Sequence, residues 1–79
     1  MKTVVQELIC DFQVADKKGE KSIQELFNKC VEEMKENVEE LNYLIKAIDK
    51  LVWYHHKQCH TKLTAIYYNL LQNVNKMIE

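Results

Sequence analysis

The sequence predicts an all-α protein, and three observations carry that expectation. Proline is absent from the 79 residues and glycine occurs once, at Gly19, which removes the usual punctuation of strands and tight hairpins. The chain is rich in Glu, Lys, Leu, Gln and Met, side chains that lose little rotamer freedom in a helix. From Ile23 onward, apolar residues recur at spacings that mostly alternate between three and four, the helical period. The expected architecture is a helical hairpin or three-helix unit, with helices about 3–15, 22–57 and 61–78, in one domain spanning 1–79.

Residues 3–15 read two ways. As a helix, Thr3 is the cap, Gln6 answers it from the third helical position, and Val4, Val5, Leu8, Ile9 and Phe12 share a face. As a strand, Val4, Leu8, Cys10, Phe12 and Val14 alternate. A strand needs a neighbour and the chain shows no second one, so helix is favoured and the strand would require pairing between subunits. Residues 16–21 are the expected connecting loop, with Gly19 in the left-handed conformation that ends a helix. Ser22 and Glu25 then form a capping-box pattern, which starts the next helix at Ile23.

The apolar line runs through Ile23, Phe27, Cys30, Met34, Val38, Leu41, Ile45, Ile48 and Val52, then His55, Cys59, Leu63, Ile66, Leu70, Val74 and Met77. Leu26, Val31, Leu44 and Leu51 widen it into a face that suits a bundle better than a two-stranded coiled coil. Unbroken, it would be a rod of roughly 84 Å, able to hide its face only in an elongated oligomer. A break at 48–50, with Asp49 as cap, or at 59–61, with Thr61 as cap, makes a compact object instead. The second is favoured because a fresh apolar pattern of Leu63, Ile66, Tyr67 and Leu70 follows Thr61.

Size and charge bear on assembly. A chain this short buries only about 60–65% of its unfolded surface, so it is marginal alone. Self-association as a homodimer is expected, a dimeric helical bundle with Ile45, Ile48, Val52, Leu63, Ile66 and Leu70 as oligomer core. Residues 20–40 carry seven Glu against three Lys, and residues 41–79 five Lys against Asp49 and Glu79, which favours antiparallel packing of the two halves. Arginine is absent, which counts against reading of DNA bases and makes a nucleic-acid-associated regulator a lesser alternative.

The histidine-rich stretch Tyr54-His55-His56-Lys57-Gln58-Cys59-His60 is the sharpest candidate for chemistry. His56 and His60, or His55 and Cys59, are four apart on a helix and could reach one metal ion, but the two pairs diverge by about 100°. A metal-binding helical protein built on this cluster is therefore an alternative; the favoured reading has no metal and no cofactor, with His55 and Cys59 packed and His56 and His60 solvated. A packed, neutral His55 would make the assembly acid-sensitive. No acid lies within a turn of His56 or His60 on its own face, and no glycine-rich turn offers an oxyanion hole, so no catalytic residue is assigned and the protein is expected not to be an enzyme. The pairs Glu32/Glu36 and Glu36/Glu40 lack the Glu-x-x-His partner of di-metal bundles and read as a solvated face.

Aromatic residues give the better functional lead. With Ile45, Ile48 and Val52 facing inward, Trp53 lies on the opposite side with Lys46, Asp49, Lys50 and Lys57, and Tyr43 is near. Tyr43, Lys46, Lys50, Trp53 and Lys57 form the candidate partner-binding surface, since aromatics bordered by lysine stems are typical interface anchors. The competing reading packs Trp53 against residues 3–15. No apolar run approaches a membrane span, no secretory signal precedes the three cysteines, and a cytoplasmic location is expected. Abundant Lys, Asn and Ile without Arg suit an AT-rich genome such as that of a bacterium or its phage. The expected function is a small protein-binding module, an adaptor, inhibitor or regulator acting on a protein target.

Overall fold

The computed structural model describes residues 3–78 and folds them into four helices: α1 (Val4–Lys18), α2 (Glu20–Met34), α3 (Val38–Lys57) and α4 (Thr61–Ile78). Residues 3–15 are thus helical, not a strand. Thr3 caps α1 as its spacing predicts. Its hydroxyl accepts from the Gln6 N–H at 3.1 Å, and the Gln6 side chain accepts from the Thr3 N–H at 3.0 Å.

The expected connecting loop at 16–21 shrinks to one residue. Gly19 ends α1 and opens α2 at φ 115°, ψ 178°, a conformation open essentially to glycine alone. Its N–H donates to the Ala15 carbonyl and its own carbonyl accepts from Ile23, so both helices run up to it. Lys17 and Lys18 occupy the last turn of α1 and Glu20 the first turn of α2, each matching the local end of the helix dipole. The capping box at Ser22 does not form: α2 begins at Glu20, without a side-chain cap, and Ser22 lies inside its first turn.

The long helix expected over 22–57 is two helices. Asn37, extended at φ −133°, ψ 107°, caps α3 by accepting from the Glu39 and Glu40 N–H groups at 3.0 and 3.4 Å. Asp49 caps nothing and lies exposed in the middle of α3. The break at 59–61 is present, but Thr61 is not its cap: α3 stops at Lys57, Cys59 takes a positive φ of 61°, and α4 starts at Thr61 itself, with the His60 carbonyl accepting its first bond from the Thr64 N–H.

The four helices make one core within a body of 33 × 30 × 21 Å. Phe12 from α1, Ile23 and Phe27 from α2, Leu44, Ile48 and Leu51 from α3, and Tyr67, Leu70 and Val74 from α4 are all buried in it. The α3–α4 pair is the most extensively packed, and α1 lies against both α2 and α3. Phe12 meets Tyr67 edge-to-face at 5.7 Å between ring centres. Truncating such a buried aromatic typically costs about 3–5 kcal/mol. Apolar contact, not charge, joins the acidic and basic halves. Among the described residues the ion pairs are Lys35–Glu32, one turn apart on the surface, and His55–Asp16. No helix among them is long and apolar enough to cross a membrane.

The Asn37 cap yields a prediction. Asn37→Ala removes the acceptor for two otherwise unpaired N–H groups and is expected to lower the unfolding free energy by about 0.5–2 kcal/mol. Urea titration followed by circular dichroism measures it, and an unchanged midpoint would mean that the chain runs through this position as continuous helix.

Candidate functional site

Two places gather the residues that the sequence singles out: a polar junction inside the bundle, and the outer face of α3. The junction is assembled from three helices and one turn. Asp16 enters from the last turn of α1, His55 from the last turn of α3, Tyr67 from α4, and His60 from the turn between α3 and α4. His55 Nε2 lies 3.0 Å from Asp16 Oδ2, and the two side chains are 4% and 12% exposed. The Tyr67 hydroxyl donates to Asp16 Oδ1 and also lies 3.3 Å from the Phe12 carbonyl oxygen. His55 Nδ1 lies 3.0 Å from His60 Nδ1, and the His55 ring stacks on Tyr67 with 5.4 Å between centres and 5° between planes.

An ionised Asp16 offers only acceptors, so His55 Nε2 donates to it, while the direction of the bond between the two Nδ1 atoms is set by the tautomers of the two rings. The result is a hydrogen-bonded chain from a buried carboxylate to an exposed imidazole. It can pass a proton between the two, but it brings up no alcohol or thiol nucleophile and no oxyanion hole. The expectation of acid sensitivity rested on a packed, hydrogen-bonded His55; the ring is buried, and the partner facing its Nε2 is the Asp16 carboxylate.

Of the four metal candidates only His55 and His60 come together, through their Nδ1 atoms. Both ring nitrogens of His55 are engaged, His56 is exposed with its ring edge-on to Trp53 at 5.9 Å, and Cys59 is exposed instead of packed. The helix ends at Lys57, so Cys59 leaves the helical register that would have carried it inward. Among the described residues no group of three or more His, Cys, Asp and Glu side chains could hold a metal ion. The residue that sequence reasoning missed is Asp16, assigned there to a loop and lying 39 positions before His55.

On α3, Leu41, Leu44, Ile48, Leu51 and His55 face the core, and Trp53 projects from the opposite side, 57% exposed. Trp53 therefore does not pack against α1. Lys46, Lys50 and Lys57 are exposed beside it, while Tyr43 is half-buried and donates its hydroxyl to Glu39 at 3.0 Å. Of the residues expected to form an oligomer core, Ile48 and Leu70 are buried within the chain's own bundle, and Ile45, Val52, Leu63 and Ile66 are partly buried against it. No protein-family description matches the chain, and comparison with curated proteins and with solved structures finds no similar one.

The junction predicts alkaline behaviour. Ionisation of Tyr67 is pushed far up, first by burial and then by the Asp16 carboxylate that accepts its hydrogen. A folded-state value above the unfolded one means that this group's stabilisation is fully present below the unfolded tyrosine value of about 10 and declines as pH rises beyond it. One of the four tyrosines should therefore gain its phenolate absorbance only as helical circular dichroism is lost, and Tyr67→Phe should abolish that coupled step.

Proposed function

We propose that this chain is a small non-enzymatic protein-binding module, an adaptor, inhibitor or regulator, that engages a protein target through the outer face of α3. The observation that carries this reading is Trp53. A buried tryptophan contributes on the order of 150–250 Å² of contact surface, yet this one, the only tryptophan in the chain, stands outside a bundle that closes without it. The His56 ring lies roughly perpendicular to the indole, 5.9 Å away between ring centres, and is its aromatic neighbour on that face. Tyr43, the stems of Lys46 and Lys50, Trp53 and Lys57 form a continuous stripe along the helix, in which aromatic rings and lysines are interleaved.

Trp53→Ala tests this reading. With the side chain outside the core, the variant should retain its helical circular dichroism and change stability by no more than about 0.5 kcal/mol. Affinity capture from the native host should lose the target that the wild-type protein retains. Capture of the same proteins by both would exclude this face as the binding surface.

A further inference from the structure

The outer face of α3 also indicates what kind of partner it fits. Glu39, Tyr43, Lys46, Lys50, Trp53 and Lys57 follow one another at alternating spacings of four and three, so they stand in a single line along the helix. The line extends about 27 Å. Glu39 and Tyr43 are bonded to each other at its N-terminal end, which leaves three lysines and one flanking carboxylate, Asp49, around Trp53, a net positive surface. No carboxylate of the described residues forms an ion pair with any of these lysines.

Resting on the reading of this face as a binding surface, we infer that its partner is an acidic amphipathic helix, about five turns long, lying antiparallel to α3. Such a helix lays an apolar residue against Trp53 and carboxylates against Lys46, Lys50 and Lys57. The orientation follows from the helix ends. Antiparallel packing sets the partner's N-terminus, where acidic side chains are favoured, over Lys50, Trp53 and Lys57 at the C-terminal half of α3. Glu39 then faces the partner's C-terminal end, where basic side chains are favoured. A second copy of this chain fits the same face poorly. An antiparallel α3–α3 pairing that sets Trp53 on Tyr43 also sets Lys46 on Lys50, placing like charges astride the two-fold axis.

The test uses the full chain and three synthetic helices with the same leucine face, flanked by Glu, Gln or Lys. Trp53 is the sole tryptophan, so its emission reports contact directly. The Glu-flanked helix is expected to bind tightest, to shift the emission to the blue, and to weaken as salt is added. Replacing Lys46, Lys50 and Lys57 together by Gln, all exposed and outside the core, should weaken that binding by about tenfold or more. Equal or tighter binding of the Gln- or Lys-flanked helix would overturn the acidic partner while leaving the face itself as a binding surface. Absence of any emission shift with all three helices would also overturn it. So would a concentration-dependent dimer, seen by sedimentation, in which Trp53 is already buried. The Trp53→Ala capture experiment stands apart from these outcomes, so failure of the face and failure of the partner class remain distinguishable.

Discussion

Asp16 is the point on which the four-helix arrangement is pinned. A carboxylate taken almost wholly out of water must have donors, because an unpaired buried charge costs several kcal/mol. Here one donor comes from α3 and the other from α4, through His55 Nε2 and the Tyr67 hydroxyl. Apolar contacts alone would tolerate helices sliding by a turn with modest loss. A junction in which one carboxylate meets an imidazole and a phenol, with the two rings stacked on each other, exists at a single register. Every buried side-chain nitrogen and oxygen among the described residues has a hydrogen-bond partner, so this specificity is not offset by an orphaned polar atom.

Around that junction the fold solves the problem set by the apolar ribbon. The ribbon from Ile23 to Met77 keeps nearly one helical phase, and a straight helix would leave it wet. Two interruptions, at Asn37 and at Cys59–His60, fold it back so that α2, α3 and α4 cover one another and α1 closes the remaining side. α3 then has two separate surfaces. Its inner face, with Leu44, Ile48, Leu51 and His55, organises the core. Its outer face carries Trp53 and three lysines, which the core does not need. On the proposed reading, stability and recognition occupy opposite sides of the same helix.

The helical class, the Thr3 cap, the Thr61 break and the inward face of α3 were legible in the sequence because each rests on local chemistry or on periodicity. The α2–α3 break was not, although Asn37 followed by Glu39 and Glu40 is a capping signal in plain view. Met34, Val38 and Leu41 continue the three-and-four spacing straight across it, and periodicity outweighed the cap. Val38 is in fact 58% exposed, a member of the pattern that never reaches the core. The pattern at Ser22 misled in the opposite sense, because Gly19 supplies the turn and its carbonyl begins α2 three residues earlier. For the candidate sites, the outward position of Trp53 followed from helical phase alone. The junction did not, because its acid comes from another helix and no spacing rule joins residues so far apart.

The most direct test of this account is a double-mutant cycle between Asp16 and His55, with Asp16→Ala, His55→Ala and the double variant compared by urea unfolding. If the junction fixes the arrangement, the two losses should fall short of additivity by roughly 1–3 kcal/mol, since either substitution alone already breaks the shared interaction. Losses that add within about 0.5 kcal/mol would show the two residues to be independent, and would contradict the claim that this buried pair holds α1 in register with α3 and α4.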